Sequence, residues 1–388
     1  MNRNISALYI IKISKWFNMV MPVVVLFYND NGMGMHEIFI LKSIYSIAIV
    51  AMEIPSGYLA DVWGRKKTLL FGSILGASGF LMYSFSYGFM AFIIAEIILG
   101  IGYSFISGAD SAMLYDSLKA SGNEKKYLKQ EGRITSVGNF AEALAGIVGG
   151  LLATLTLRTP FFFQTVIATA AIPAALLMVE PYTHAKKHAH SVKKLILAIK
   201  STLTKNKNLR IAVLFSALTG TATLTFAWLV QPFLKEVDIP VAWFGIIWTL
   251  LNVTVGLASV FAYKFDKKTG SLKSSLLILV LISLGFIFSG LFIIRVGIVF
   301  LFLFYVFRGI ATPILKNRIN QHTDSEIRAT ILSVRNFVIR INFAVIGPAL
   351  GYLTDNLSLQ SAFIFAGCIY FIATLFTILP WLSKKVKL

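Results

Sequence analysis

Apolar residues run along this chain in blocks of about 20, the length a helix needs to cross ~30 Å of hydrocarbon. Twelve helical spans are predicted, at 7–29, 37–60, 67–87, 89–116, 134–156, 160–180, 209–232, 241–263, 274–294, 297–316, 329–352 and 358–381. An even number of spans puts both termini on one side. The longest polar stretch, 181–208, divides the chain into an N-terminal bundle of six spans (1–180), a central linker and a C-terminal bundle of six (209–388).

Composition agrees with the pattern. Of 388 residues 57% are hydrophobic and 14% charged, and the mean hydropathy is +0.76. Soluble domains sit near 45–50% apolar and about 25% charged. The expected class is an all-α polytopic membrane protein with no sizeable soluble domain.

Net charge of +19 points to nucleic acid only in a soluble protein. Here the cations gather in alternate loops: Arg65, Lys66 and Lys67; Lys119 to Arg133; Lys186 to Arg210; Lys264 to Lys273; Lys316, Arg318 and Arg328; Lys384, Lys385 and Lys387. The opposite loops hold Arg158, Lys235 and Arg295, with Lys42 near their edge. The positive-inside rule then places both termini in the cytoplasm, here of a prokaryotic inner membrane, with the bilayer rather than nucleic acid as partner.

The single cysteine, Cys368, lies in an apolar run and forms no internal disulfide. The first span carries Arg3, Lys12 and Lys15 without a small-residue cleavage site, so it is expected to stay uncleaved. Linker residues His184, His188 and His190 lack acidic or thiol companions, which favours a solvated segment over a metal site. Leu195, Ile196, Leu197 and Ile199 among the lysines suit a short helix on the inner leaflet.

Residues 57–69 form the most specific motif: Gly57, Asp61, Gly64, then Arg65-Lys66-Lys67, between two apolar spans. This run resembles the signature loop between the second and third helices of the major facilitator superfamily. Val62 departs, standing where that family usually has a basic residue. The resemblance implies twelve helices in two related six-helix halves about an axis along the membrane normal. It also implies a cytoplasmic latch, in which Asp61 meets the amino end of the eleventh helix and Arg65 pairs with Asp116. A carboxylate is favoured at a helix N-terminus by the dipole and the unpaired N–H groups.

Weak duplication accompanies the motif. Ala145-Gly146-Ile147-Val148-Gly149-Gly150 is similar to Gly347-Pro348-Ala349-Leu350-Gly351-Tyr352, and Asp266-Lys267-Lys268 echoes the signature loop. Family antiporters often carry Gly-Pro-x-x-Gly-Gly in the fifth helix. This chain lacks that proline, and its small residues suffice for close helix packing.

Charges inside spans mark candidate chemistry. Glu142, Arg308 and Arg340 fall near mid-membrane, Glu53, Asp110 and Arg335 toward the cytoplasm, and Glu96 toward the outside. A charge at the bilayer centre costs about 2.5–3.5 kcal/mol even on insertion scales, so these residues should face one another or a watery cavity. The acids concentrate in the N-terminal half and the arginines in the C-terminal half. Guanidinium forks suit carboxylate or phosphate, which points to an anionic or zwitterionic solute such as a carboxylate or siderophore. Glu142, if desolvated, is a candidate carrier of a coupling proton; a simple neutralising pair of Glu142 with Arg340 is the alternative. Glu96 precedes Gly100-x-Gly102 where many proton-coupled members have an arginine, which leaves the coupling mechanism open.

A proton-coupled secondary transporter, monomeric and without cofactor or metal, is therefore expected. Efflux of amphiphilic cations through Glu142 and Asp110 is the rival substrate reading. A channel would show pore-lining rings rather than a rocking latch; a membrane enzyme would need a nucleophile–base pair, a metal cluster or a P-loop, and none of these three is found in the sequence.

Overall fold

The computed structural model describes residues 2–181, 197, 200, 201, 204, 206–323 and 327–382. The linker histidines and the C-terminal lysines 384, 385 and 387 lie outside the described residues. Those described are all helix, turn or irregular segment, without a strand.

The chain forms two compact units. One comprises Met1–Met33, Ile44–Ser191 and Val241–Thr249; the other comprises Gly34–Ser43, Val192–Pro240 and Leu250–Leu388. Among the described residues, eleven helical segments are long and apolar enough to cross a membrane. The first predicted span is helical in two shorter pieces.

Those pieces are α1 (Asn2–Trp16) and α2 (Val24–Asp30). Pro22 has no N–H and disfavours helix at the residue before it, so residues 17–23 turn instead. The Met19 N–H donates to Gln164 Oε1 at 2.9 Å in place of a helical carbonyl. Then follow α3 (Met35–Trp63), α4 (Arg65–Phe85), α5 (Phe89–Ile106), α6 (Ala109–Lys119) and α7 (Tyr127–Leu152). The fourth span is divided between α5 and α6 at Gly108, whose φ of +86° favours glycine. The sixth span bends between α8 (Thr159–Thr169) and α9 (Ala171–Leu177).

In this first unit Leu8, Ile11, Leu69, Met113, Leu114 and Ala175 form the core. A separate aromatic cluster joins Phe27, Tyr28, Tyr83, Phe92 and Phe161. Gly146 and Gly150 lie directly against Gly245, so these small residues serve close helix packing.

The remaining helices are α10 (Lys207–Glu236), α11 (Val241–Thr269), α12 (Ser271–Leu291), α13 (Ile298–Gln321), α14 (Arg328–Asn356) and α15 (Leu359–Leu382). The second unit centres on α10, where Phe226 stacks on Phe304 with ring centroids 3.6 Å apart. Phe286, Phe363 and Tyr370 complete that layer.

Candidate functional site

The signature loop is a single residue. α3 ends at Trp63 and α4 begins at Arg65, leaving Gly64 at φ +94°. That value favours glycine, and a Cβ there would approach the Glu180 carboxyl carbon to 2.8 Å. Glu180 accepts hydrogen bonds from the backbone N–H groups of Arg65 and Lys66, each at 2.7 Å. These are donors that the start of a helix otherwise leaves unfilled.

Arg65 holds the turn from the other side. Its Nη1 lies 2.7 Å from Asp61 Oδ1 and its Nε 3.7 Å from Asp116 Oδ2. The structure thus brings three of the latch candidates, Asp61, Arg65 and Asp116, into one cluster. Gly57 has open space where a Cβ would project, so crowding does not explain glycine there.

The second unit contains a counterpart at the end of α11. Asp266 Oδ1 lies 3.1 Å from Arg318 Nη2. The Arg318 guanidinium also donates to the Ser271 carbonyl and the Ser274 hydroxyl, each at 2.6 Å, and to the Ser275 hydroxyl. Sequence reasoning found the echo at Asp266 but counted Arg318 only as a loop cation. Its partners lie 43 to 52 residues away, beyond any local signal.

The embedded charges divide into three groups. Glu96 is 1% exposed, and one of its oxygens accepts from Tyr28 at 2.8 Å and Tyr83 at 2.5 Å. The carboxyl is enclosed inside the first unit, away from solvent. Asp110 lies 4.0 Å from Lys12, while the neighbouring Ser111 donates to Glu131 at 2.9 Å. Lys15 sits 4.0 Å over the Tyr103 ring. Glu53 is exposed on α3, and Glu142 and Arg340 are half-buried on α7 and α14.

Arg335 and Arg308 form the third group, in the second unit. Arg335 is 9% exposed; its Nε donates to Ser216 Oγ at 2.6 Å and its Nη1 to Asn336 Oδ1 at 3.0 Å. A guanidinium has five N–H donors, so these two neutral partners leave three for another acceptor. Arg308 lies 5.1 Å over the Tyr305 ring. Among the described residues, no carboxylate forms an ion pair with either arginine.

Tandem spans, a charged one-residue turn after the second of them and a matching charge cluster in the second unit describe a polytopic membrane transport protein. The family model of the Major Facilitator Superfamily matches residues 14–345, and the chain belongs to that superfamily. Quinolone resistance protein NorA of Staphylococcus aureus is 22% identical over 181 residues, 46% of each chain. An MFS-type transporter of Methanocaldococcus jannaschii is 22% identical over 191 residues, 49% of this chain and 48% of that one. The matched region thus spans about half the length of these curated relatives. The solved nucleoside transporter NupG superposes with a TM-score of 0.80 at 17% identity, covering 98% of this chain and 99% of its own. A peptide transporter POT in complex with sulfate gives 0.76 at 14% identity, covering 98% and 94%. At such identities the structural likeness establishes the fold.

Proposed function

We propose that this protein is a secondary active transporter, working by alternating access on a small organic solute with an anionic or zwitterionic head. Arg335 is the observation that supports the reading. Among the described residues, the buried guanidinium is held by the neutral partners Ser216 and Asn336, a costly arrangement without an anion. Among the described residues, Arg308 is a further cation without a carboxylate ion pair. A carboxylate or phosphate ligand matches the remaining N–H fork.

Proton coupling is part of the proposal, with Glu142 the carboxyl assigned to it. The protein is taken to act as a monomer in a prokaryotic cytoplasmic membrane, with both termini in the cytoplasm. The likeness to a quinolone resistance protein supports a second reading, efflux of amphiphilic drugs.

Thermal unfolding of the detergent-purified protein against small carboxylates, siderophores and amphiphilic cations separates the two readings. Ligand at a hundred times its dissociation constant stabilises by about 2.7 kcal/mol. Stabilisation by anions that disappears in Arg335→Ala is expected. Stabilisation by cations alone, lost in Glu142→Gln and kept in Arg335→Ala, would overturn the anion reading.

A further inference from the structure

The end of α3 opposite the signature loop carries a second carboxylate contact. Asp355, in the last turn of α14, accepts from the Met35 N–H at 2.8 Å through Oδ1 and from the His36 N–H at 2.7 Å through Oδ2. These are first-turn donors of α3, which a helix leaves unfilled. Glu37 of the same turn reaches back to the Gly34 N–H at 3.2 Å. His36 adds a contact from its Nδ1 to the Pro348 carbonyl at 2.9 Å, and its ring meets Tyr352 edge-on.

The approach is close enough to demand small residues. A Cβ on Gly34 would come 2.6 Å from Asp355 Oδ2, and one on Gly351 would come 2.5 Å from the Met35 carbonyl. Residues 34–43 accordingly group with the second unit, while α3 from Ile44 onward groups with the first. One continuous helix is shared, and the Asp355 contacts hold its first turn to α14.

From this we propose that Asp355 is a positioning residue of the transport cycle, a clasp that must open whenever the first turns of α3 leave α14. The signature resemblance has Asp61, at the end of the second span, facing the amino end of the eleventh. Asp355 has the converse relation: it closes the eleventh span and faces the amino end of the second. The device is a carboxylate on a helix N-terminus, with the roles of the two helices exchanged. The proposal rests on alternating access as the mode of transport.

The test uses the full chain in liposomes, with Cys368→Ala removing the native thiol and Ser43→Cys as reporter. Ser43 lies on α3 below the clasp and is 5% exposed. Its labelling by a membrane-impermeant maleimide is compared in the reporter alone, with Asp355→Asn and with Gly34→Ala. Asn keeps the shape and loses the charge; Ala keeps the charge and crowds Asp355 Oδ2. Both are expected to raise the labelling rate roughly five-fold, the upper range for a carboxylate leaving an exposed helix N-terminus, and Asp355→Glu is expected to restore it. A rate unchanged in both variants, or raised equally in Asp355→Glu, overturns the clasp. Uptake measured in the same liposomes keeps the two proposals apart. A wild-type chain that moves no anionic solute counts against the transport reading, while the labelling result still decides the clasp.

Discussion

The two charged junctions, one in each half of the chain, use the same parts with different exposure. In the first, Arg65 comes from the turn itself, and its ion pairs with Asp61 and Asp116 join side chains 21–25% exposed. In the second, Lys267 and Lys268, in the last turn of α11, do not take that place. Arg318 arrives from the end of α13, 4% exposed, and is surrounded by Asp266 and three serines. A half-wet pair contributes little to stability and can be made and broken cheaply. The second junction is buried on one side only: Asp266 is 28% exposed, whereas Arg318, at 4%, is the group that would lose its charged partner with little water to replace it. The first junction is therefore expected to be the cheaper of the two to break.

Stability measurements on the purified protein can break that contrast. Asp266→Ala leaves the buried Arg318 charge with serine hydroxyl and carbonyl oxygens, and is expected to cost about 1–3 kcal/mol in denaturant unfolding, less than for a fully buried pair because Asp266 is 28% exposed. A loss below 1 kcal/mol would place the second junction in the same class as the first. Glu180→Ala removes the acceptor for the first N–H groups of α4 and is expected to cost about 1 kcal/mol. Since that carboxylate also holds the turn carrying Arg65, transport should fall in the same variant, measured as initial uptake rate. Arg65→Ala gives the smallest stability change, about 0.2–1 kcal/mol, yet it should reduce uptake more than Glu180→Ala does. An Arg65→Ala protein that transports normally would leave the cluster a topology signal and nothing more.

Legibility followed the motif and, outside it, sequence distance. The approach of Arg65 to Asp116 was readable from the motif, whereas Asp61, expected at the amino end of the eleventh helix, also pairs with Arg65 four residues on. Glu180 reaches the start of α4 across 114 residues, and Asp355 reaches α3 across 319, so neither contact left a local trace. Glu96 was legible as an embedded acid but not as the centre of a tyrosine pair. Its environment depends on how α2, α4 and α5 are rotated about their own axes. Arg335 was legible as a charge, while its two neutral partners were not, since Ser216 is 119 residues away. The breaks at residues 17–23 and at Gly108 fell inside apolar runs that hydropathy alone reads as continuous.

By itself the sequence determined that the chain is a helical membrane protein, how many spans it has and which turn carries the superfamily signature. Those properties rest on local quantities: the length of apolar runs, the solvation cost of charge in hydrocarbon and the spacing of residues on one turn. Only the tertiary structure decided which embedded charges are enclosed, which are neutralised and which retain free donors. That depends on helix rotation and on partners distant in the chain, because burial removes water as an alternative and makes each polar contact a matter of what stands opposite.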